Sequence, residues 1–282
     1  MIELAADIWR VQLRPEIGGA VSAMHRGGVP ILRTMPDQAD HPFDAACFPL
    51  VPYCNRIANG RFGWAERPVA LAPNLSGHPH PLHGMGWLSQ WHLIRHDKTS
   101  ALMEHAYDGS GDWPWPYVAH QHVSLDSGGC TIRLMVQNLA HESAPVGIGF
   151  HPYFHRTSET VVRFAAEAML GIDGDCLADG TRLPRDVLAP WSSGTALPDT
   201  LVDNCFETWD GLATIADERG TIEIRAFGAP HCHVYAPPGG EELCIEPVNH
   251  VPDALNADPR GMPFTLPGCA VGMAMRVASA GA

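Results

Sequence analysis

The run "TIEIRAF", Thr221–Phe227, decides the fold class. Apolar Ile222, Ile224 and Ala226 alternate with Glu223 and Arg225, the two-residue period of a strand with one face turned to a core. A few residues on, "HCHVYA" (His231–Ala236) reads as a second strand. Upstream, "QHVSLD" (Gln121–Asp126) and "TIRLMVQNL" (Thr131–Leu139) read the same way. Twenty-eight glycines and 25 prolines are spread through the chain and cut it into short segments. No stretch of a dozen residues carries a convincing helical stripe. Short strands with frequent turns predict an all-β protein, a large antiparallel β-sandwich or a barrel. At 282 residues the chain exceeds the usual domain length, but large β-sandwiches reach it in one piece. With no linker, low-complexity tract or short repeat, residues 1–282 read as a single domain.

Composition narrows the function classes. Hydrophobic residues make up 45% and charged residues 17%, enough for a packed core and unlike a disordered chain. The net charge of -13 and the lack of any Lys/Arg cluster argue against a nucleic-acid partner. No apolar run approaches a membrane span. The start, "MIELAADIWR", lacks the basic and apolar regions of a signal peptide. Eight cysteines without such a signal read as reduced thiols. The expectation is a cytoplasmic protein without a membrane partner.

Several segments carry chemistry-bearing side chains. In "CIEPVNHVPDALN" (Cys244–Asn256), Glu246 follows an apolar residue and is fixed by Pro247. A glutamate partly withdrawn from water favours its neutral form and becomes a better proton acceptor. Taken alone, a surface strand end is the better explanation, as for most glutamates. The 16 histidines cluster in "HPHPLHG" (His78, His80, His83), "GFHPYFH" (His151, His155) and "HCH" (His231, His233). The last pair would share a strand face, as two metal ligands could. No HExxH or CxxC pattern supports a metal, so no metal and no cofactor are expected. "WPWPY" (Trp113–Tyr117) suits sugar stacking and core packing alike. "DNCFETWDG" (Asp203–Gly211) reads as a polar-aromatic loop able to meet sugar hydroxyls. "GVP", "GGA" and "SGG" hold turn glycines without the lysine of a phosphate loop.

Taken in order, five segments resemble the aldose 1-epimerase (galactose mutarotase) family: "NRIANGRF" (Asn55–Phe62), "LHG" (Leu82–Gly84), "GFHPYF" (Gly149–Phe154), "LVDNCF" (Leu201–Phe206) and "IEPVNHVPDALN" (Ile245–Asn256). The chain departs from the family at Phe150, where many members have asparagine. It departs again at Met85, in place of a second glycine, and in the ending "HPYFHR". The resemblance implies a large antiparallel supersandwich that interconverts the α and β anomers of an aldose without a cofactor. It implies Glu246 as general base and His151 as general acid. Arg56, His83, Asn55 and Asp203 would bind substrate, and Trp113 could cover an apolar sugar face.

The sugar itself is open: an aldohexose, or an acidic hexose derivative if further basic groups such as Arg61, Arg95 or His231 line the site. Two other classes compete. A non-catalytic carbohydrate-binding protein on the same fold could dispense with the acid–base pair. A metal-dependent β-barrel sugar isomerase would use "HCH" and another carboxylate.

Overall fold

Each quoted run is a strand. Thr221–Phe227 lies in Gly220–Phe227 and His231–Ala236 is itself a strand. The upstream runs fall in Tyr117–Asp126 and Gly129–Asn138. The computed structural model describes residues 1–257 and 261–281. Along Tyr117–Asp126 buried and half-buried side chains alternate up to exposed Asp126. The chain reverses at Ser127–Gly128, where Asp126 Oδ1 accepts the amide protons of Gly128 (2.8 Å) and Gly129 (3.0 Å), the local bonding that makes aspartate a turn residue. Ile222 and Ile224 are buried, whereas Arg225 is exposed and paired with Glu223 at 2.6 Å. Burying an isoleucine contributes about 1.5–3 kcal/mol. A one-residue slip would turn both outward, so the register is tightly specified.

Among the described residues the strands form an eleven-stranded sheet, a nine-stranded sheet and two small ribbons. Their one α-helix is the single turn Ala254–Ala257, and no helix is long and apolar enough to cross a membrane. Five strands lie side by side within the larger sheet, in the order Cys47–Leu50, Gly149–His155, Glu242–Val248, His231–Ala236, Val202–Glu207.

The two faces of these strands do different work. Phe150, Phe154, Leu243, Ile245, Val234 and Phe206 face the second sheet. They join its Val123, Leu134, Ile224 and Met275 in one continuous core. Because side chains alternate, the neighbours of these residues emerge on the other face. There Phe48, Leu50, Tyr153, Cys244 and Val248 form a separate cluster with Trp87. This outer face is covered only by loops, and it carries a cleft. The segment "DNCFETWDG" is therefore not wholly a loop. Its first half is strand, with Asp203 on the outer face and Phe206 fully buried.

Candidate active site

Strand register assembles the floor of the cleft. Gly149 pairs with Val248 and Tyr153 with Cys244, so His151 stands opposite Glu246. On its other flank Glu246 pairs with His233, which pairs with Cys205. Next along the sheet runs a second row, Tyr153, Cys244, Tyr235 and Asp203. Chain segments separated by nearly one hundred residues thus meet through backbone pairing alone. The resulting cleft, about 340 Å³, is lined by Asn55, Arg56, His83, His151, Asp203 and Glu246, with His233 and Arg33 among the remainder.

The floor is nearly dry. Glu246 is 2% exposed and His151 7%, with His151 Nε2 3.4 Å from Glu246 Oε1. Burial raises the Glu246 carboxyl to about 8, an effect that His233 opposes. Burial, reinforced by His233 and Arg33, lowers the His151 imidazole to about 3. Its ring packs against those of Phe48 (4.8 Å between centroids) and Tyr153 (4.6 Å), and the Arg33 guanidinium lies over the Tyr153 ring, 3.4 Å from its centroid. These opposed shifts favour the neutral forms of both groups, a protonated Glu246 beside an unprotonated His151.

Beside this pair sits an ion pair. Asp203 Oδ1 lies 2.7 Å from His233 Nε2. Burial works against both charges, but the shared hydrogen bond overrides it, holding Asp203 down at about 2 and His233 up at about 10. The Asp203 carboxylate lines the cleft, with the Cys176 thiol beside it as a second hydrogen-bond partner.

Two loops form the wall. Asn55 N–H donates to His83 Nδ1 (3.1 Å) and His83 N–H donates back to the Asn55 carbonyl (3.0 Å). With Nδ1 occupied and burial holding the ring well below the usual histidine range, His83 is neutral and offers Nε2–H as a donor. Asn55 and His83 both adopt positive φ, 57° and 59°, an uncommon conformation in which Asn and His are enriched. Asn55 Oδ1 accepts from the Arg56 backbone N–H (2.9 Å) and from its guanidinium (3.3 Å). The segment after Glu246 secures the same loop from behind. Cys54 N–H donates to His250 Nε2 (2.9 Å), Asp253 N–H to the Arg56 carbonyl (3.1 Å), and Ala58 N–H to Asp253 Oδ1 (3.0 Å).

The structure thus brings six of the seven expected site residues together and corrects the seventh. Trp113 is 1% exposed and packs on Tyr53, Phe62 and Trp115 in the core, away from the cleft. Apolar surface in the cleft comes instead from Phe43, Leu75, Tyr153 and Tyr235. Arg61 and Arg95 are exposed and His231 lies beside Glu207; none of the three lines the cleft. Its unforeseen basic group is Arg33, which donates to Glu242 Oε1 (2.7 Å) and to the carbonyls of Ala45 (2.7 Å) and Phe43. "HCH" does not converge as a ligand pair: His233 is held by Asp203, and neither histidine belongs to the cluster of convergent ligand atoms among the described residues. The departures from the family pattern also find a place. Phe150 points into the inter-sheet core, and Met85 adopts ordinary right-handed backbone that needs no glycine.

The two-sheet β frame is shared with solved galactose mutarotase-like proteins. A crystal structure of one from Clostridium acetobutylicum superposes with a TM-score of 0.85 at 19% identity, covering 98% of this chain and 93% of that one. The chain belongs to the aldose 1-epimerase family, whose sequence model matches residues 10–274. An Escherichia coli K12 crystal structure, provisionally described as an aldose 1-epimerase, aligns with a TM-score of 0.90 at 28% identity over 98% and 97% of the two chains. The uncharacterized protein YphB of the same organism is 30% identical over 248 residues, 84% of this chain and 83% of that protein.

Proposed function

We propose that the protein is an aldose 1-epimerase that opens and recloses the ring of an aldose. The observation that carries this reading is the buried His151–Glu246 pair, Nε2 and Oε1 3.4 Å apart, at the floor of a cleft of monosaccharide size. Ring opening breaks the bond from C1 to the ring oxygen. One proton leaves the C1 hydroxyl and one reaches the ring oxygen. Glu246 takes the first, His151 gives the second, and the roles reverse on closure after rotation about C1–C2. The proton that His151 gives is the pair's own, drawn across from Glu246. His83 Nε2–H and the Arg56 guanidinium face the oxygens on which charge develops. Asp203, held ionised by His233, accepts from a ring hydroxyl.

Arg33 is spent on Glu242 and two carbonyls, whereas Arg56 has only the Asn55 amide oxygen beside it. Arg56 is the cation available to a sugar hydroxyl or to an acidic substituent. The test is anomer exchange followed by NMR in deuterium oxide over neutral and acidic hexoses. Protons move only among oxygens, so α to β exchange accelerates while C1 and C2 keep protium and no ketose accumulates. Exhaustive chelator treatment leaves the rate undiminished. Deuterium at C2, or no acceleration on any sugar, would overturn the reading.

A further inference from the structure

Beneath the cleft floor lies a buried thiol that the proton chemistry leaves unused. Cys244 lies two residues before Glu246 on the same strand face, diagonal to His151. One ligand atom each from His151, Cys244 and Glu246 lies within 4.8 Å of the others, and all three residues are buried. The 3.4 Å between His151 Nε2 and Glu246 Oε1 is long for a hydrogen bond. It matches the edge of a tetrahedron whose two ligands stand about 2.0–2.1 Å from a zinc ion. The Cys244 sulfur, within 4.8 Å of both atoms, would close to about 3.5 Å from each to complete a three-ligand face around the ion, its fourth position open to the cleft. We infer that His151, Cys244 and Glu246 form a binding site for a thiophilic divalent cation of the zinc type, and that the bound ion shuts the site by occupying the groups a sugar would meet.

Charge balance supports a divalent ion. Binding displaces the Cys244 thiol proton and the Glu246 carboxyl proton to water, while His151 is already neutral. The dication, one thiolate and one carboxylate then sum to zero, so no net charge is buried. A sulfur and a nitrogen ligand favour zinc-like ions over magnesium or calcium. The inhibitory half of the inference rests on the epimerase reading; the binding half does not.

Cobalt(II) is the probe. Added to chelator-stripped protein, one equivalent gives the visible bands of a tetrahedral site and a thiolate-to-cobalt charge-transfer band, both erased by zinc. Cys244→Ser removes the charge-transfer band and weakens zinc binding by at least about tenfold, whereas Cys269→Ser, at the exposed thiol, changes neither. In anomer exchange, zinc raises the apparent KM of the wild type and chelator reverses it. Measured against its own zinc-free rate, Cys244→Ser resists zinc. A folded wild type without the cobalt bands overturns the site, as does a charge-transfer band that survives Cys244→Ser. Unchanged zinc sensitivity in a Cys244→Ser protein that has lost the band overturns the inhibition. Cys244-dependent cobalt bands in a protein that turns over no sugar leave the metal site standing and remove the epimerase reading.

Discussion

Glu246 is a proposed base that carries a proton at rest. The resolution lies in counting protons on the pair rather than on either group. With His151 at about 3 and Glu246 at about 8, the pair holds one proton throughout the interval between. Below it a second proton binds and no base remains; above it the only proton is lost and no acid remains. We therefore expect kcat/KM for anomer exchange to be flat around neutrality and to fall with a midpoint near 8. Glu246→Gln should cost about a hundred- to ten-thousand-fold and erase the alkaline limb while circular dichroism stays unchanged. An alkaline limb that persists in Glu246→Gln would assign it to another group.

Among the elements, the Leu82–Gly84 turn tolerates little change. Gly84 has φ of 76°, and a Cβ there would stand 2.1 Å from the Val51 carbonyl oxygen. Gly84→Ala must therefore move the backbone that presents His83. We expect a loss on the order of 2 kcal/mol in chemical denaturation, together with a raised KM. Unchanged stability would show that the turn can shift.

Local pattern made the strands legible, because alternation in "TIEIRAF" is a property of neighbours in sequence. It failed in "DNCFETWDG", where polar Asn204 takes an inward position, its Nδ2 donating to the Leu170 carbonyl (3.0 Å), and Cys205 is buried on the outer face. Five short segments located six cleft residues through resemblance. Nothing local to "ILRTMP" could place Arg33 over Tyr153, about 120 residues away in sequence, since that contact exists only after the sheet forms. Trp113 misled for a related reason: a tryptophan among prolines looks the same whether it faces a sugar or the core.

At the scale of the whole molecule, the buried Glu246 carboxyl is a stability cost that varies with pH. Its folded value of about 8 stands above the 4.5 of an exposed glutamate, so the folded protein binds the extra proton between those limits. Stability contributed by this group is present below about 4.5 and is lost as pH rises through 8. Glu246→Gln lacks that dependence. The variant should gain on the wild type in denaturant midpoint from pH 5 to pH 8, by an amount on the order of a few kcal/mol at the upper end. Parallel curves would mean that the carboxyl is better solvated than its burial implies.

The division of labour between the two faces of the larger sheet has a consequence for engineering. Along Gly149–His155 and Glu242–Val248, cohesion belongs to one parity of residue and recognition to the other. A mutagenesis library confined to Tyr153, Tyr235, His78 and Leu75 would redraw the cleft without entering the inter-sheet core. Substrate preference in this scaffold can be edited like type set on one side of a plate, with the reverse side left to hold the molecule together.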